Sequence, residues 1–312
     1  MGQIRVLVTG GAGFIGTNLV NELRSRGMEV WTSDILHGED PQHIRADVVS
    51  YQQMRKVFAE SRFAYVYHLA AEYGRWNGED HYENLWRTNV IGTKNMLRLQ
   101  EEFRFRMVFF SSAEVYGEFD GIMSEDVMDR IAIKQINDYA ISKWAGELQC
   151  LNSATMFGTE TVRVRPVNCY GPHEYYSPYR GVIPIFVYKC LKWLPFVVYG
   201  RHKRIFDYVS DTCRTLANIM DNFLPGEVYN IGGREDWAID IAELAAIVIR
   251  ETGTDPNLAD YQQNEAFTTK EKPIDFSKAR RDLNHNPTID IQEGIRRYIA
   301  WARKVYPAKE SK

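Results

Sequence analysis

The sequence predicts an α/β protein: a doubly wound parallel sheet followed by a smaller mixed C-terminal lobe. Three observations predict it. Short apolar runs alternate with stretches of helix-spaced apolar residues as far as Arg165, a glycine-rich turn joins the first run to the first helix, and beyond Gly171 the chain turns irregular and rich in proline and aromatics. Runs that are apolar throughout belong to strands buried on both faces, the condition of a parallel sheet covered by helices.

Taken in order, residues 4–9 read as the first strand and 14–26 as the first helix. Residues 29–33 form a second strand, and 51–61 carry helical spacing. Strands at 65–69, 107–110 and 161–165 then alternate with helices at 85–102 and 138–157. Two later pieces, 209–222 and 227–231, have the composition to return to the sheet, and 289–306 reads as a closing helix. The expected division places the sheet domain in residues 1–170, with segments near 205–235 returning to it, and a substrate lobe mainly in 171–312.

Composition narrows the function. Of 312 residues, 45% are hydrophobic and 25% charged, with a formal net charge of −3. Nucleic acid and anionic membranes both demand a basic face, so neither is an expected partner. No apolar run approaches the roughly 20 residues that span a bilayer; the best, residues 182–199, is broken by Pro184, Lys189, Lys192 and Pro195. The start, MGQIRVLVTGG, has no signal-peptide pattern. Cys150, Cys169, Cys190 and Cys213 are dispersed without CxxC pairing, which points to buried thiols in a reducing, cytoplasmic setting and to no metal site.

The first strand ends in Gly10-Gly11-Ala12-Gly13-Phe14-Ile15-Gly16. Gly10 permits the tight turn, Gly13 lets backbone approach a pyrophosphate, and Gly16 lets helix pack close to strand, while the helix N-terminus offers N–H groups to phosphate. Asp34 stands 18 residues after Gly16, at the end of the second strand. An acid there suits the ribose hydroxyls of NAD and repels the 2′-phosphate of NADP. A Rossmann-type NAD site is therefore expected, to which Asp47 and Val48 bring the adenine edge and Leu69, Ala70 and Ala71 a small-residue strand end.

Tyr139 and Lys143 stand four apart near a helix start, hence on one face. A tyrosine that takes a proton from a hydroxyl needs a nearby ammonium to hold its phenolate, and Ser112, just past a strand end, can share the substrate oxygen. A Tyr-x-x-x-Lys pair alone reads more readily as surface decoration; the glycine loop and Ser112 give it weight.

With these, TGGAGFIG, HLAA, Asn89-Val90-Ile91-Gly92-Thr93, SSAEVYG, YAISK, RPVNCYGP, RIFDYVSD and YNIGG occur in that order over nearly the whole chain. The chain resembles the extended short-chain dehydrogenases/reductases, in the branch of nucleotide-sugar epimerases, 4,6-dehydratases and decarboxylases. The resemblance implies that Tyr139 deprotonates a sugar hydroxyl, usually on C4, as hydride passes to tightly held NAD. Lys143 would bind the nicotinamide ribose and lower the tyrosine pKa, and Ser112 would hold the 4-oxygen. It places Asn168 and Arg204 on the diphosphate, Val198 and Tyr199 beside the base, and Lys272 where many relatives carry an arginine. It also implies a homodimer through the helices near 89–102 and 138–157. Gly200-Arg201-His202-Lys203 departs from the Gly-Asp-Gly that relatives often show; a solvated basic turn and a phosphate contact both remain open for Arg201 and Lys203.

The branches share oxidation at C4 and diverge at the next chemical step. Dehydratases resembling the thymidine-diphosphoglucose enzyme carry Asp-Glu where this chain has Ala113-Glu114, and many galactose-type epimerases lack the glutamate. Glu114 leans toward 4,6-dehydration and Ala113 weakens that lean; 4-epimerisation is the next alternative and decarboxylation of a uronate the third. Glu114 as a structural hydrogen-bonder is the plain alternative. Arg75, in Glu72-Tyr73-Gly74-Arg75-Trp76, and Arg180, after Glu174-Tyr175-Tyr176, are expected over the sugar. Outside this class stand a non-catalytic NAD-binding regulator, disfavoured by the intact Tyr139, Lys143 and Ser112, and a simple NADP-dependent ketone reductase, disfavoured by Asp34.

Overall fold

The computed structural model describes residues 3–263, 265, 268–269 and 271–307. Strands β1 (Arg5–Thr9), β2 (Glu29–Asp34), β3 (His43–Arg45), β4 (Tyr65–His68), β5 (Arg106–Phe110), β6 (Thr161–Pro166) and β7 (Val228–Ile231) form one sheet in the order β7-β6-β5-β4-β1-β2-β3. Every pairing in it is parallel. Thr9 aligns with Ser33 on one side and His68 on the other, so β1, β2 and β4 end level. Strand order reverses between β1 and β4, which opens a crevice at their C-terminal ends.

Each strand feeds both faces. Val6 and Val8 pack with Leu19, Leu23, Tyr67 and Leu216 on one face, whereas Leu7 joins Met54, Phe58, Leu97 and Met107 on the other. This explains why the strands read as unbroken apolar runs. Val228–Ile231 pairs with β6, and helix Val209–Asn218 packs on helix Phe14–Ser25, so both late segments lie with the sheet.

One expected helix is continuous but carries a wider turn. Residues 82–103 form helix Tyr82–Trp86, a π-helical stretch Arg87–Gly92 and helix Thr93–Phe103. The wider turn brings Gly92 against Val48, where a Cβ would stand 2.8 Å from Val48 Cγ2. It also sets Asn89 to accept from the Glu72 N–H at 2.8 Å and donate to Ser142 Oγ at 3.0 Å.

The lobe has its own core, where Phe186, Val187, Phe196, Val198, Leu244, Val248, Ile295 and Ile299 meet. Helices Val182–Leu191, Ile241–Thr252 and Ile291–Val305 enclose it, the last capped by the Asp290 carboxylate, which accepts from the Glu293 N–H at 2.9 Å. Among the described residues no helix is long and apolar enough to cross a membrane.

Candidate active site

Between the strand ends and the lobe lies a cavity of about 1070 Å³, with a side branch of about 120 Å³ toward Arg204. Its sheet wall is made by the glycine turn. Gly10 has φ +71°, and a Cβ on it would stand 2.7 Å from the Ala70 nitrogen. A Cβ on Gly16 would stand 2.1 Å from the Gly10 carbonyl oxygen, so no other residue fits the turn unchanged. Helix Phe14–Ser25 starts on Gly13, which has no side chain to cap it, leaving its first-turn N–H groups to a ligand.

Phe14, Ile15, Asp34, Asp47, Val48, Leu69, Ala70 and Ala71 line the same wall. Asp34 accepts from the N–H groups of Ala12 and Leu36, each at 3.1 Å, which fixes its carboxylate beside the turn. The side-chain-free glycine cradle, the uncapped helix start and a held acid at the end of β2 fit NAD.

The chemical wall is built by β5 and helix Asp138–Phe157. The Asn137 side chain accepts from the Ala140 N–H at 2.8 Å and starts the helix, so Tyr139 and Lys143 rise one turn apart into the cavity. Lys143 Nζ donates to the Phe110 carbonyl at 2.9 Å, tying the helix to the end of β5. Ser112 lies close enough to Tyr139 to act on its phenol. Burial pushes the Tyr139 phenol up to about 12, opposed by Ser112 and by Arg180, while Glu114 adds to the rise. Burial brings the Lys143 ammonium down to about 7. Desolvation is the largest influence on both groups, and the Phe110 carbonyl fixes where the Lys143 ammonium stands.

Glu114 lies two residues past Ser112, whose Oγ accepts from the Glu114 N–H at 3.2 Å. Lys272 Nζ donates to Glu114 Oε1 at 2.6 Å. Burial pushes the Glu114 carboxyl up, but the charges of Lys272, Arg75 and Arg204 outweigh it and hold it below the ordinary carboxylate value. Two of these cations are themselves anchored. Arg75 Nη2 pairs with Glu265 at 2.9 Å, and Arg204 Nη2 donates to Thr268 Oγ1 at 2.7 Å and to the Thr269 carbonyl at 2.6 Å.

The other lobe residues divide. Arg180 lines the cavity and stacks on the Tyr73 ring at 4.8 Å, and Tyr73 meets Tyr139 edge to face at 6.1 Å. Asn168 lines both cavity and branch, with φ +39° and its amide donating to the Ile205 carbonyl at 2.8 Å. Val198 does not reach the cavity. Strand Phe196–Tyr199 alternates, so Val198 is fully buried in the lobe core while Val197 and Tyr199 face the cavity. Arg201 and Lys203 are exposed and line neither space.

Two residues carry no legible motif. Glu265, which pairs with Arg75, belongs to no pattern in the sequence. Glu147, one turn beyond Lys143, is fully buried between Arg163 and Arg165 and accepts from Ser111 Oγ at 2.5 Å. A glutamate on the buried face of a helix was its only signal.

Comparison with known proteins agrees with this geometry. Residues 6–232 match the family model described as "NAD dependent epimerase/dehydratase family". The UDP-N-acetyl-alpha-D-glucosaminuronate decarboxylase of Bacillus cytotoxicus is 31% identical, over 96% of this chain and 98% of its own. A dTDP-glucose 4,6-dehydratase of an Actinoplanes species is 28% identical over 96% and 98%. The UDP-glucose 4-epimerase of Thermus thermophilus, solved with NAD, superposes with a TM-score of 0.84 at 27% identity, covering 96% of this chain and 99% of its own. The chain thus belongs to the NAD-dependent epimerase/dehydratase family, the extended short-chain dehydrogenases/reductases that act on nucleotide sugars.

Proposed function

We propose that the protein oxidises C4 of a nucleotide-diphospho-uronic acid and releases the C6 carboxylate as carbon dioxide. The observation that carries this reading is the Glu114–Lys272 pair at 2.6 Å, set in the field of Arg75 and Arg204 beside Ala113. Eliminating a 6-hydroxyl requires a proton donor for the leaving group. The residue next to Glu114 carries only a methyl, and Glu114 itself is held ionised. A uronate needs no such donor: a ketone at C4 stands β to the C6 carboxylate, and the electrons of the C5–C6 bond pass onto that ketone as carbon dioxide departs. Cations around the C6 position accommodate the carboxylate beforehand.

In this reading residues 1–170, with the returning segments near 205–235, hold NAD, and residues 171–312 supply most of the substrate wall. The Gly10, Gly13 and Gly16 turn and the helix start take the pyrophosphate, and Asp34 takes the adenosine ribose. NAD, when bound, supplies the hydride acceptor. Tyr139 Oη removes the proton of the 4-hydroxyl, Ser112 Oγ holds that oxygen, and Lys143 Nζ stands by to hold the ribose. Asn168 and Arg204 take the diphosphate and Tyr199 flanks the base. The cluster at Lys272 faces the C6 end of the sugar, with Arg75 and Arg180 beside it.

A second reading, 4,6-dehydration, keeps one observation in its favour: an ionised carboxylate two residues past Ser112 is the base that C5 deprotonation needs. Product mass separates the readings, after incubation with UDP-, dTDP-, GDP- and CDP-sugars including uronic acids. Loss of carbon dioxide supports the proposal, loss of water replaces it with dehydration, and unchanged mass with a new chromatographic peak replaces it with epimerisation.

We also propose a homodimer. Ile141, Leu148 and Met156 on helix Asp138–Phe157 and Ile91 on the π-helical stretch stay exposed in the single chain, on the two elements the resemblance implicates. Sedimentation at twice the chain mass is the expected result.

A further inference from the structure

Glu174 sits just past the turn at Gly171 and lines both the main cavity and its side branch. Its backbone is fixed from two sides: the Glu174 N–H donates to the Gly171 carbonyl at 3.1 Å, and Tyr298 Oη donates to the Glu174 carbonyl at 2.5 Å. The side chain is left with less support. It is only 3% exposed, yet among the described residues its Oε2 has no hydrogen-bond partner. Arg180, whose charge reaches it, stacks on Tyr73 and does not pair with it.

A buried polar atom without a partner is uncommon and costly, and on a residue that lines a cavity a turn of the carboxyl toward an entering ligand satisfies it. We propose that Glu174 hydrogen-bonds a hydroxyl of the sugar ring in the bound nucleotide sugar, and so selects among ring configurations. This rests on the nucleotide-sugar reading but not on which reaction succeeds the oxidation.

The location and the chemistry agree. Glu174 lines both the cavity that Tyr139 enters and the branch that Arg204 lines, the two places where the proposed reading puts the reacting carbon and the diphosphate. Burial pushes its carboxyl up to about 8, with Arg180 opposing. At neutral pH it is mostly protonated, with one O–H to donate and one carbonyl oxygen to accept. A sugar hydroxyl also donates and accepts. A charged carboxylate would instead repel the neighbouring diphosphate.

The test compares affinity for a sugar nucleotide with affinity for its own nucleoside diphosphate, by calorimetry on NAD-loaded protein. The probes are UDP-glucuronic acid against UDP, UDP-glucose against UDP, and dTDP-glucose against dTDP. Glu174→Ala should cut the advantage of the preferred sugar nucleotide by about fivefold or more while leaving the diphosphate within about twofold. Glu174→Gln, which keeps one donor and one acceptor, should retain most of that advantage. Equal weakening of both ligands in Glu174→Ala would mean a structural role and overturn the proposal, as would an unchanged advantage. If the unaltered protein prefers none of the sugar nucleotides, the substrate class falls and this inference with it.

Discussion

The two walls of the cavity are built on different physical grounds. On the sheet side the cavity is walled by backbone and small side chains: Gly10, Gly13 and Gly16 in the turn, Ala70 and Ala71 at the end of β4. Opposite stand long charged side chains that tie lobe to sheet domain, Lys272 to Glu114 and Glu265 to Arg75, with Arg204 bound to Thr268 and Thr269. The first wall admits almost no variation because van der Waals contact fixes it. The second can be rebuilt by exchanging one ion pair for another, which suits a family that keeps one cofactor and varies its sugars. Tyr139 stands where the two meet.

The comparison can be broken at that junction. Tyr139→Phe removes only the hydroxyl, and turnover should fall about a thousandfold, the scale of a lost acid–base group, while bound NAD stays constant. Activity within tenfold of the parent would take the proton transfer away from Tyr139. The sheet wall is tested by Gly16→Ala, whose methyl would stand 2.1 Å from the Gly10 oxygen. It should release NAD and cost about 3 kcal/mol of stability, as forced backbone shifts do, read as cofactor content and thermal midpoint. Normal cofactor content would show the turn more pliant than its packing implies.

The lobe wall is tested by Lys272. Lys272→Met leaves a largely buried Glu114 without its partner and should cost about 3 kcal/mol at neutral pH, whereas Lys272→Arg should cost much less. Because its neighbours hold Glu114 below the ordinary value, the stability its charge contributes is complete above the unfolded carboxylate value. That stability is lost as pH falls through the lower folded value. Without Lys272 the carboxyl protonates at higher pH, so the gap between variant and parent should narrow on acidification. Urea unfolding from pH ~8 to ~4 tracks it. A gap that widened on acidification would mean the pair is not charged in the folded protein.

The smallest effects separate neighbours on one strand. Val198→Ala should cost about 2 kcal/mol of stability through its lost core packing and leave nucleotide affinity unchanged. Tyr199→Ala should do the reverse, weakening a nucleoside diphosphate severalfold with stability nearly intact. If Val198→Ala weakened the nucleotide and Tyr199→Ala did not, the facing of the strand would be wrong.

Much of the sheet wall was legible because its requirements are local. A glycine turn between an apolar strand and a helix, with an acid ending the next strand, needs no distant partner to be read. The same holds for the Tyr139 and Lys143 spacing, which one helical turn determines. The π-helical turn at Arg87–Gly92 was not legible, since it depends on Gly92 meeting Val48 and Asn89 meeting Glu72 and Ser142. Val198 was misplaced for a related reason: alternation says that one neighbour faces in, and only the lobe core decides which.

By itself, then, the sequence determined the parallel sheet, the cofactor turn and the Ser112, Tyr139 and Lys143 set, because strand burial, glycine sterics and helix periodicity act over a few residues. The tertiary structure alone decided the electrostatics. That Glu114 is held ionised depends on Lys272, 158 residues away in the chain. That Tyr139 and Lys143 are shifted by desolvation, and that Glu174 Oε2 is buried without a partner among the described residues, depend on how sheet and lobe close on one cavity. Charge depends on distance and burial, and neither is written along the chain.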